Sequence, residues 1–167
     1  MPTDFTREMC REAMLKTVER VFSTIMEAKV APGTGDCKAG PDTMTAIIDF
    51  KGDWRGAILL QCSTSEARHL AVMFLGKDAI DGVDEDSRDV MGELLNIIAG
   101  NLKTVLPRGA QATLPTVVSG PYTPFSREEA PFVIQAPFSV NKDMFWLTFA
   151  KQPGAPQASG AEGAENL

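Results

Sequence analysis

Hydrophobic positions along this chain recur with two different periods, and the longest run of one period lies between Asp86 and Leu106, DSRDVMGELLNIIAGNLKTVL. At about 100° per residue, Met91, Leu94, Leu95, Ile98, Leu102, Val105 and Leu106 fall on one stripe, which predicts a long amphipathic helix. The opposite face carries Asp89, Glu93, Asn96, Gly100 and Lys103. The same period places a first helix over Phe5–Ala28, where Met14, Val18, Val21, Phe22 and Ile25 recur and Asp4 or Thr6 can cap the start. The residues Ser63-Thr64-Ser65-Glu66 offer N-caps for a third helix ending near Leu75, with Gly76 as its stop.

Elsewhere the period is two. Met44, Ala46, Ile48 and Phe50 alternate along one predicted strand, and Trp54, Ile58 and Leu60 along the next. Only Gly52 and Asp53 stand between them, which predicts a short hairpin. A strand near Ala112–Ser119 contains Pro115, which suits a sheet edge or a bulge. The last two strands place Phe132, Ile134, Ala136 and Phe138 on one face and Phe145, Leu147 and Phe149 on another, with a turn over Val140–Asp143. Loops are expected at Ala31–Asp42 and Tyr122–Ala130, and an acidic connector at Lys77–Glu85. Asp84 and Asp86 are natural caps for the long helix, whose positive N-terminal end favours acids. From Gln152 onward the chain is rich in Ala, Gly, Pro, Glu and Ser, with nothing to bury, and reads as a disordered tail.

The element order α, β, β, α, α, β, β, β predicts an α+β fold in two layers, an antiparallel sheet with helices packed on one face. Residues 1–151 fit one domain and 152–167 the tail. The composition, 44% hydrophobic and 23% charged, is that of a soluble globular protein. A net charge of −6 argues against nucleic acid or an anionic membrane as partner. No apolar run approaches the roughly 18 residues needed to span a bilayer, and the N-terminus lacks the apolar segment of a signal peptide, so a cytoplasmic location is expected.

Most catalytic chemistries lack their residues here. His69 is the single histidine and has no Ser or Cys partner in local register. No phosphate-binding glycine loop or zinc-binding HExxH motif occurs. Cys10, Cys37 and Cys62 are too few and too widely spaced for a disulfide framework or a zinc site. Cys10 and Cys62 read as small apolar filler, and Cys37 as an exposed loop thiol. The acids Asp78, Asp81, Asp84, Glu85 and Asp86 do not follow calcium-loop spacing.

The polar face of the long helix remains. Glu93 and Asn96 are one turn apart, so their Cβ atoms stand about 5–6 Å from each other. Asn is a poor helix former, and Gly100 in a helix interior costs about 1 kcal/mol relative to Ala. A face that keeps both residues has the shape of a close docking surface, with one acceptor and one donor/acceptor at fixed positions.

The string Gly92-Glu93-Leu94-Leu95-Asn96-Ile97-Ile98-Ala99-Gly100-Asn101-Leu102-Lys103, preceded by a hairpin with Gly56 and by the Ser63-Thr64-Ser65-Glu66 helix start, resembles the signature helix of the CheX group of chemotaxis phosphatases. These belong with CheC-type proteins and are more distantly related to flagellar switch components. The resemblance covers roughly Thr45–Ala150, and the family pattern of an acidic residue, Glu and Asn falls on Asp89, Glu93 and Asn96. It implies dephosphorylation of a phosphorylated CheY-like response regulator. Asn96 would hold the attacking water, Glu93 would pair with the regulator's active-site lysine, and Asp89, Gly92, Gly100 and Lys103 would contact the partner. The chain itself would bind no cofactor, because the aspartyl phosphate and its Mg²⁺ belong to the regulator. A homodimer formed through sheet-edge strands is also implied. The first helix has Phe22 where a second site would need Asn, so one site per chain is expected, as in CheX. The family's downstream proline could be Pro107, Pro115 or Pro121. The alternative reading is a non-catalytic regulator-binding or scaffold module of the same fold.

Overall fold

The computed structural model describes residues 6–76, 84–122 and 132–152. The helices are α1 (Arg7–Ile25), α2 (Thr64–Leu75) and α3 (Asp84–Leu102). The strands are β1 (Ala31–Pro32), β2 (Thr43–Gly52), β3 (Gly56–Ser63), β4 (Ala110–Ala112), β5 (Thr116–Ser119), β6 (Phe132–Val140) and β7 (Asp143–Lys151). They form one antiparallel sheet in the order β1-β6-β7-β3-β2-β4, with β5 beside β4 on the same edge of β2.

Alternation builds the layers. The even-numbered positions Met44, Ala46, Ile48, Phe50, Ile58 and Leu60 share one buried cluster with Phe138, Phe145, Leu147 and Phe149 and with the apolar stripes of all three helices. Ile47, Ala57 and Leu59 point to the other face and form a small cluster with Val118 and Tyr122. The fold is therefore α+β, with the helices on one face, as the pattern predicts.

Local chemistry fixes the helix ends. Thr6 caps α1, its hydroxyl accepting from the Met9 N–H at 3.1 Å. Ser63 and Glu66 form a reciprocal capping box at the start of α2, and Gly76 closes it at φ 70°. The β6–β7 turn places Asn141 and Lys142 at φ 47° and 72°. Two left-handed residues between Val140 and Asp143, which pair, match the twist of a tight hairpin.

Three details differ from the pattern-based expectation. Ala31–Pro32 is not wholly loop: it pairs with Ser139 and Phe138 at the sheet edge, a contact too short to leave a periodic signal. The β2–β3 connection is longer than two residues. The last pair is Phe50 with Gly56, while β2 runs on to Gly52 by pairing with β4. Trp54 lies in that connection, not in a strand, and folds into the core with its Nε1–H donating to the Pro107 carbonyl at 2.8 Å. The strand expected at Ala112–Ser119 is split in two around Pro115. In the gap Thr113 keeps contact with β2, its N–H donating to the Asp49 carbonyl at 2.9 Å and its hydroxyl accepting from the Asp49 N–H at 3.0 Å.

Both sheet edges carry protection. On β6 the Val133 carbonyl accepts from Arg7 at 2.6 Å and the Pro137 carbonyl from the Gly33 N–H at 2.8 Å. On β5 the Val117 carbonyl accepts from Arg88 at 2.9 Å. Such capping discourages uncontrolled strand pairing. The expected loop over 123–130, most of the acidic connector and the tail from 153 lie outside the described residues.

Phe22 sits fully buried, stacked on Phe145 with ring centroids 5.0 Å apart, and Phe145 stacks in turn on Phe138 at 5.2 Å. Replacing it by Asn leaves a cavity and strands an amide in an apolar stack, so Phe22→Asn should lower unfolding free energy by about 3–5 kcal/mol. Urea denaturation followed by tryptophan fluorescence measures this, and a change below about 1 kcal/mol would contradict the packing described.

Candidate functional site

α3 separates its faces sharply. Val90, Met91, Leu94, Leu95, Ile98, Ala99 and Leu102 are buried, whereas Asp89, Glu93, Asn96, Gly100 and Lys103 are exposed. The helix begins at Asp84 and ends at Leu102, four residues short of the predicted end, and Lys103–Leu106 continues as turns. Leu106 still reaches the core, but Val105, placed on the apolar stripe by strict periodicity, is 40% exposed because the helical register has ended.

Two side chains hold α3 against the sheet. Near its start Arg88 donates to the Val117 carbonyl at 2.9 Å and to the Ser119 hydroxyl at 2.6 Å. Just past its end the Pro107 carbonyl takes the Trp54 indole N–H. Periodicity gives no sign of either contact, since each joins segments about 30 or more residues apart.

Gly92 departs from expectation. It is buried, not part of the exposed face: a Cβ built there would stand 3.6 Å from Val117 Cγ2 and 3.7 Å from Pro115 Cβ and Cγ. These are ordinary contact distances: the β4–β5 segment covers this position of the helix, and a methyl group would still fit beneath it. Of the three competing prolines, Pro115 is the one that packs against α3 in this way. Gly100 is the opposite case. It is exposed, and a Cβ there would meet nothing within 4 Å.

Glu93 and Asn96 project about 60° apart around the helix axis, on adjacent turns. Neither side chain has a hydrogen-bond or ion-pair partner among the described residues, and Asp89 has none either. Asn101 shows the contrast: its amide bonds back to the Ile97 carbonyl at 2.8 Å and is thereby committed. The free carboxamide at Asn96 can donate and accept at once, and the carboxylate at Glu93 can accept from a cation brought by a partner.

The remaining chemistry-bearing residues lie elsewhere. His69 on α2 pairs through Nδ1 with Asp143, the first residue of β7, at 2.9 Å. Burial pushes the Cys10 thiol up to about 12, outweighing Arg11 and Arg7, and raises Cys62 as well, with Glu66 and Asp143 adding to the shift. Cys37 is half-buried rather than fully exposed, its backbone N–H held by Gln135 at 3.0 Å, and burial with Glu66 raises its thiol too. Among the described residues no three His, Cys, Asp or Glu side chains converge to hold a metal ion.

Residues 44–138 match the family model described as Chemotaxis phosphatase CheX. The chain belongs to the CheX family. Solved structures of similar shape include chemotaxis protein CheX from Desulfovibrio desulfuricans, 22% identical over 86% of this chain and 99% of that one, with a TM-score of 0.68. Chemotaxis protein CheX from Vibrio vulnificus is 19% identical over 90% of this chain and 100% of its own, at 0.71. A chain of the CheX-CheY-BeF3-Mg complex from Borrelia burgdorferi is 21% identical over 86% and 97%, at 0.67. At these identities the likeness is one of fold. A comparison with curated proteins found no match.

The geometry of this CheX-family chain yields two expectations. Gly100→Ala should stabilise the isolated protein by about 1 kcal/mol, because the added methyl meets open space and helix propensity improves. A denaturant midpoint that falls would show that Gly100 serves the fold instead. Burial disfavours the Cys10 thiolate at pH 8, and the thiolate is the reactive form. A thiol reagent should therefore label Cys37 first and reach Cys10 and Cys62 only on unfolding, as peptide mapping by mass spectrometry would show.

Proposed function

We propose that this CheX-family protein removes the phosphoryl group from the aspartyl phosphate of a CheY-like response regulator. The observation that carries the reading is the pair Glu93 and Asn96, exposed, unpaired among the described residues and side by side on the buttressed helix α3. Family membership supplies the reaction class.

The chemistry needs little from this chain beyond position. A water oxygen attacks phosphorus as the bond to the aspartyl oxygen breaks, giving inorganic phosphate and a free carboxylate. Asn96 accepts a hydrogen bond from that water, donates toward a phosphoryl oxygen, and holds the water in line. Fixing one water in this way removes orientational entropy from the barrier. Glu93 accepts from the regulator's active-site lysine and sets the register of docking. Asp89 lies along the same exposed stripe and Lys103 in the turn just beyond it, both extending the contact, and Gly100 lets the partner approach without a side chain between. The bound Mg²⁺ belongs to the regulator, where it neutralises phosphoryl charge.

The amide matters for its neutrality as well as its shape. A carboxylate at position 96 would face the phosphoryl oxygens, and two unit charges about 4 Å apart repel by about 4 kcal/mol near a protein surface. Cytoplasmic location and homodimer formation belong to the same reading. A dimer built through sheet edges would have to accommodate the capped carbonyls of Val133, Pro137 and Val117.

The test is decay of the phosphorylated state of CheY-like receiver domains charged with phosphoramidate and Mg²⁺. Wild-type protein should accelerate it. Asn96→Ala and Asn96→Asp should each lose about 100-fold or more in kcat, the scale seen when one transition-state-orienting donor is removed. Glu93→Lys should act chiefly on KM. Binding of the receiver with no change in phosphate lifetime would favour the non-catalytic regulator-binding module.

A further inference from the structure

α3 reverses its charge along its length. Its first half contains Glu85, Asp86, Asp89 and Glu93, and the cation among them, Arg88, is committed to the Val117 carbonyl and the Ser119 hydroxyl. From Leu94 to Leu102 there is no charged residue. Lys103 follows, in the turn just past the helix end. Asn96 stands seven residues from both Asp89 and Lys103, about 10 Å along the axis in each direction.

The fold extends the positive end. α3 runs alongside β2, from the contact of Arg88 with Ser119, which pairs with Met44, toward the β2–β3 connection, where the Trp54 indole meets the Pro107 carbonyl. Arg55 and Arg108 are the chain neighbours of that bonded pair. A second bond, from the Asp53 N–H to the Gly109 carbonyl at 2.9 Å, draws the same two segments together. β7 ends here too: Lys151 pairs with Gly56, and the Gln152 N–H donates to the Arg55 carbonyl at 2.9 Å. Segments 51–56, 103–111 and 151–152 therefore meet at this end of the molecule. They carry Lys51, Arg55, Lys103, Arg108 and Lys151 and a single acid, Asp53, whose carboxylate lies over Gly109. The side chains of Arg55, Lys103 and Arg108 are exposed and have no hydrogen-bond or ion-pair partner among the described residues. A chain of net charge −6 thus has a local field at the end of α3 opposite to its overall one.

We propose that this charge reversal fixes the one direction in which the phosphorylated regulator lies across α3, with the cations beyond the helix end facing the carboxylate pocket that holds the regulator's Mg²⁺. The proposal rests on the phosphatase reading above. In that reading Glu93 takes the regulator's lysine, and Asn96, one turn nearer the positive end, faces the phosphoryl group. A phosphoryl dianion and Mg²⁺ cancel, but Mg²⁺ is held by one or two further carboxylates, so the pocket stays negative. Turned end for end, that pocket would lie against Asp89 and the acids before it, and the lysine against Lys103. Charges about 10 Å from Asn96, close to the Debye length in physiological salt, act before contact and steer the encounter. Arg55, Lys103 and Arg108 are positioning residues: they touch no reacting atom.

The experiment measures kcat and KM for a phosphoramidate-charged CheY-like receiver that the wild type dephosphorylates, at low salt and at about 0.5 M NaCl. The double variant Arg55→Glu with Arg108→Glu should lower kcat/KM about tenfold or more at low salt, through KM, with kcat within about twofold. High salt should shrink the loss to within about threefold. Arg55→Gln with Arg108→Gln should give an intermediate loss, and Arg55→Lys with Arg108→Lys should keep the wild-type values. The control is Lys38→Glu with Lys142→Glu, the same change of net charge at the opposite end of the sheet, in the loop before β2 and the β6–β7 turn. It should stay within about twofold of wild type. Circular dichroism should show the wild-type fold throughout, since all four side chains lie in solvent.

If Asn96→Ala abolishes turnover while the Glu and Gln double variants keep the wild-type kcat/KM at low salt, the docking direction is not set by these charges and the phosphatase reading stands. An equal loss in the Lys38 and Lys142 control would overturn the proposal and assign the effect to net charge alone. If the wild type accelerates no receiver at all, the phosphatase reading falls and takes the docking direction with it.

Discussion

Burial of one stripe of α3 against the sheet is the constraint from which the candidate site follows. Met91, Leu94, Leu95, Ile98 and Leu102 share a core with residues of β2, β3 and β7 and of both other helices. Rolling α3 by one residue, about 100°, would expose several of these and bury Glu93 unpaired; each large side chain so exposed loses roughly 1.5–3 kcal/mol of burial. The roll angle that satisfies the core is thus the one that turns Glu93 and Asn96 to solvent. No separate device is needed to aim them.

Roll alone does not fix translation along the axis, and positional chemistry is sensitive to shifts of about 1 Å. Two polar ties supply the missing restraint. Arg88 links the beginning of α3 to β5, and the Trp54 indole links the chain just beyond its end to the β2–β3 connection. The helix is gripped at both ends while its middle stays exposed. Gly92 belongs to this frame, since Pro115 and Val117 cover it at contact distance. The glycine of the exposed stripe, Gly100, answers no internal demand, which is why it reads as a concession to something outside the molecule.

What could be read from sequence was what depends on local periodicity and local chemistry. The α3 stripe, the start of α2 within Ser63–Glu66, the Gly76 stop and the β6–β7 turn are all set by residues within a few positions of one another. So was the exposure of Glu93 and Asn96, because a helix with one strong apolar stripe has only one outward face. What escaped were contacts between distant segments. The extension of β2 to Gly52 depends on β4, and the placement of Trp54 depends on Pro107. The resemblance puts Gly92 among the partner contacts, whereas the structure buries it. By angle it neighbours Asn96, and only the arrival of Pro115 from the β4–β5 segment buries it. Val105 erred differently, through extending a period past the point where the helix ends.

The first helix shows why one chain offers one such pair. Its Glu19-Arg20-Val21-Phe22 matches the spacing of an acid followed three residues later by a site residue, yet Glu19 is exposed and Phe22 wholly buried. In α3 the same spacing leaves both positions in solvent. The difference is roll: α1 packs so that Ser23, four residues after Glu19, continues the exposed line while position 22 points into the Phe145 stack. An asparagine at position 22 would therefore enter the core instead of completing a second pair. Identity and orientation would both have to change, and the orientation of α1 is set by Met14, Val18, Val21 and Phe22 together. The number of outward acid–amide pairs is thus a property of how the helices pack, which a search for matching residues alone does not capture.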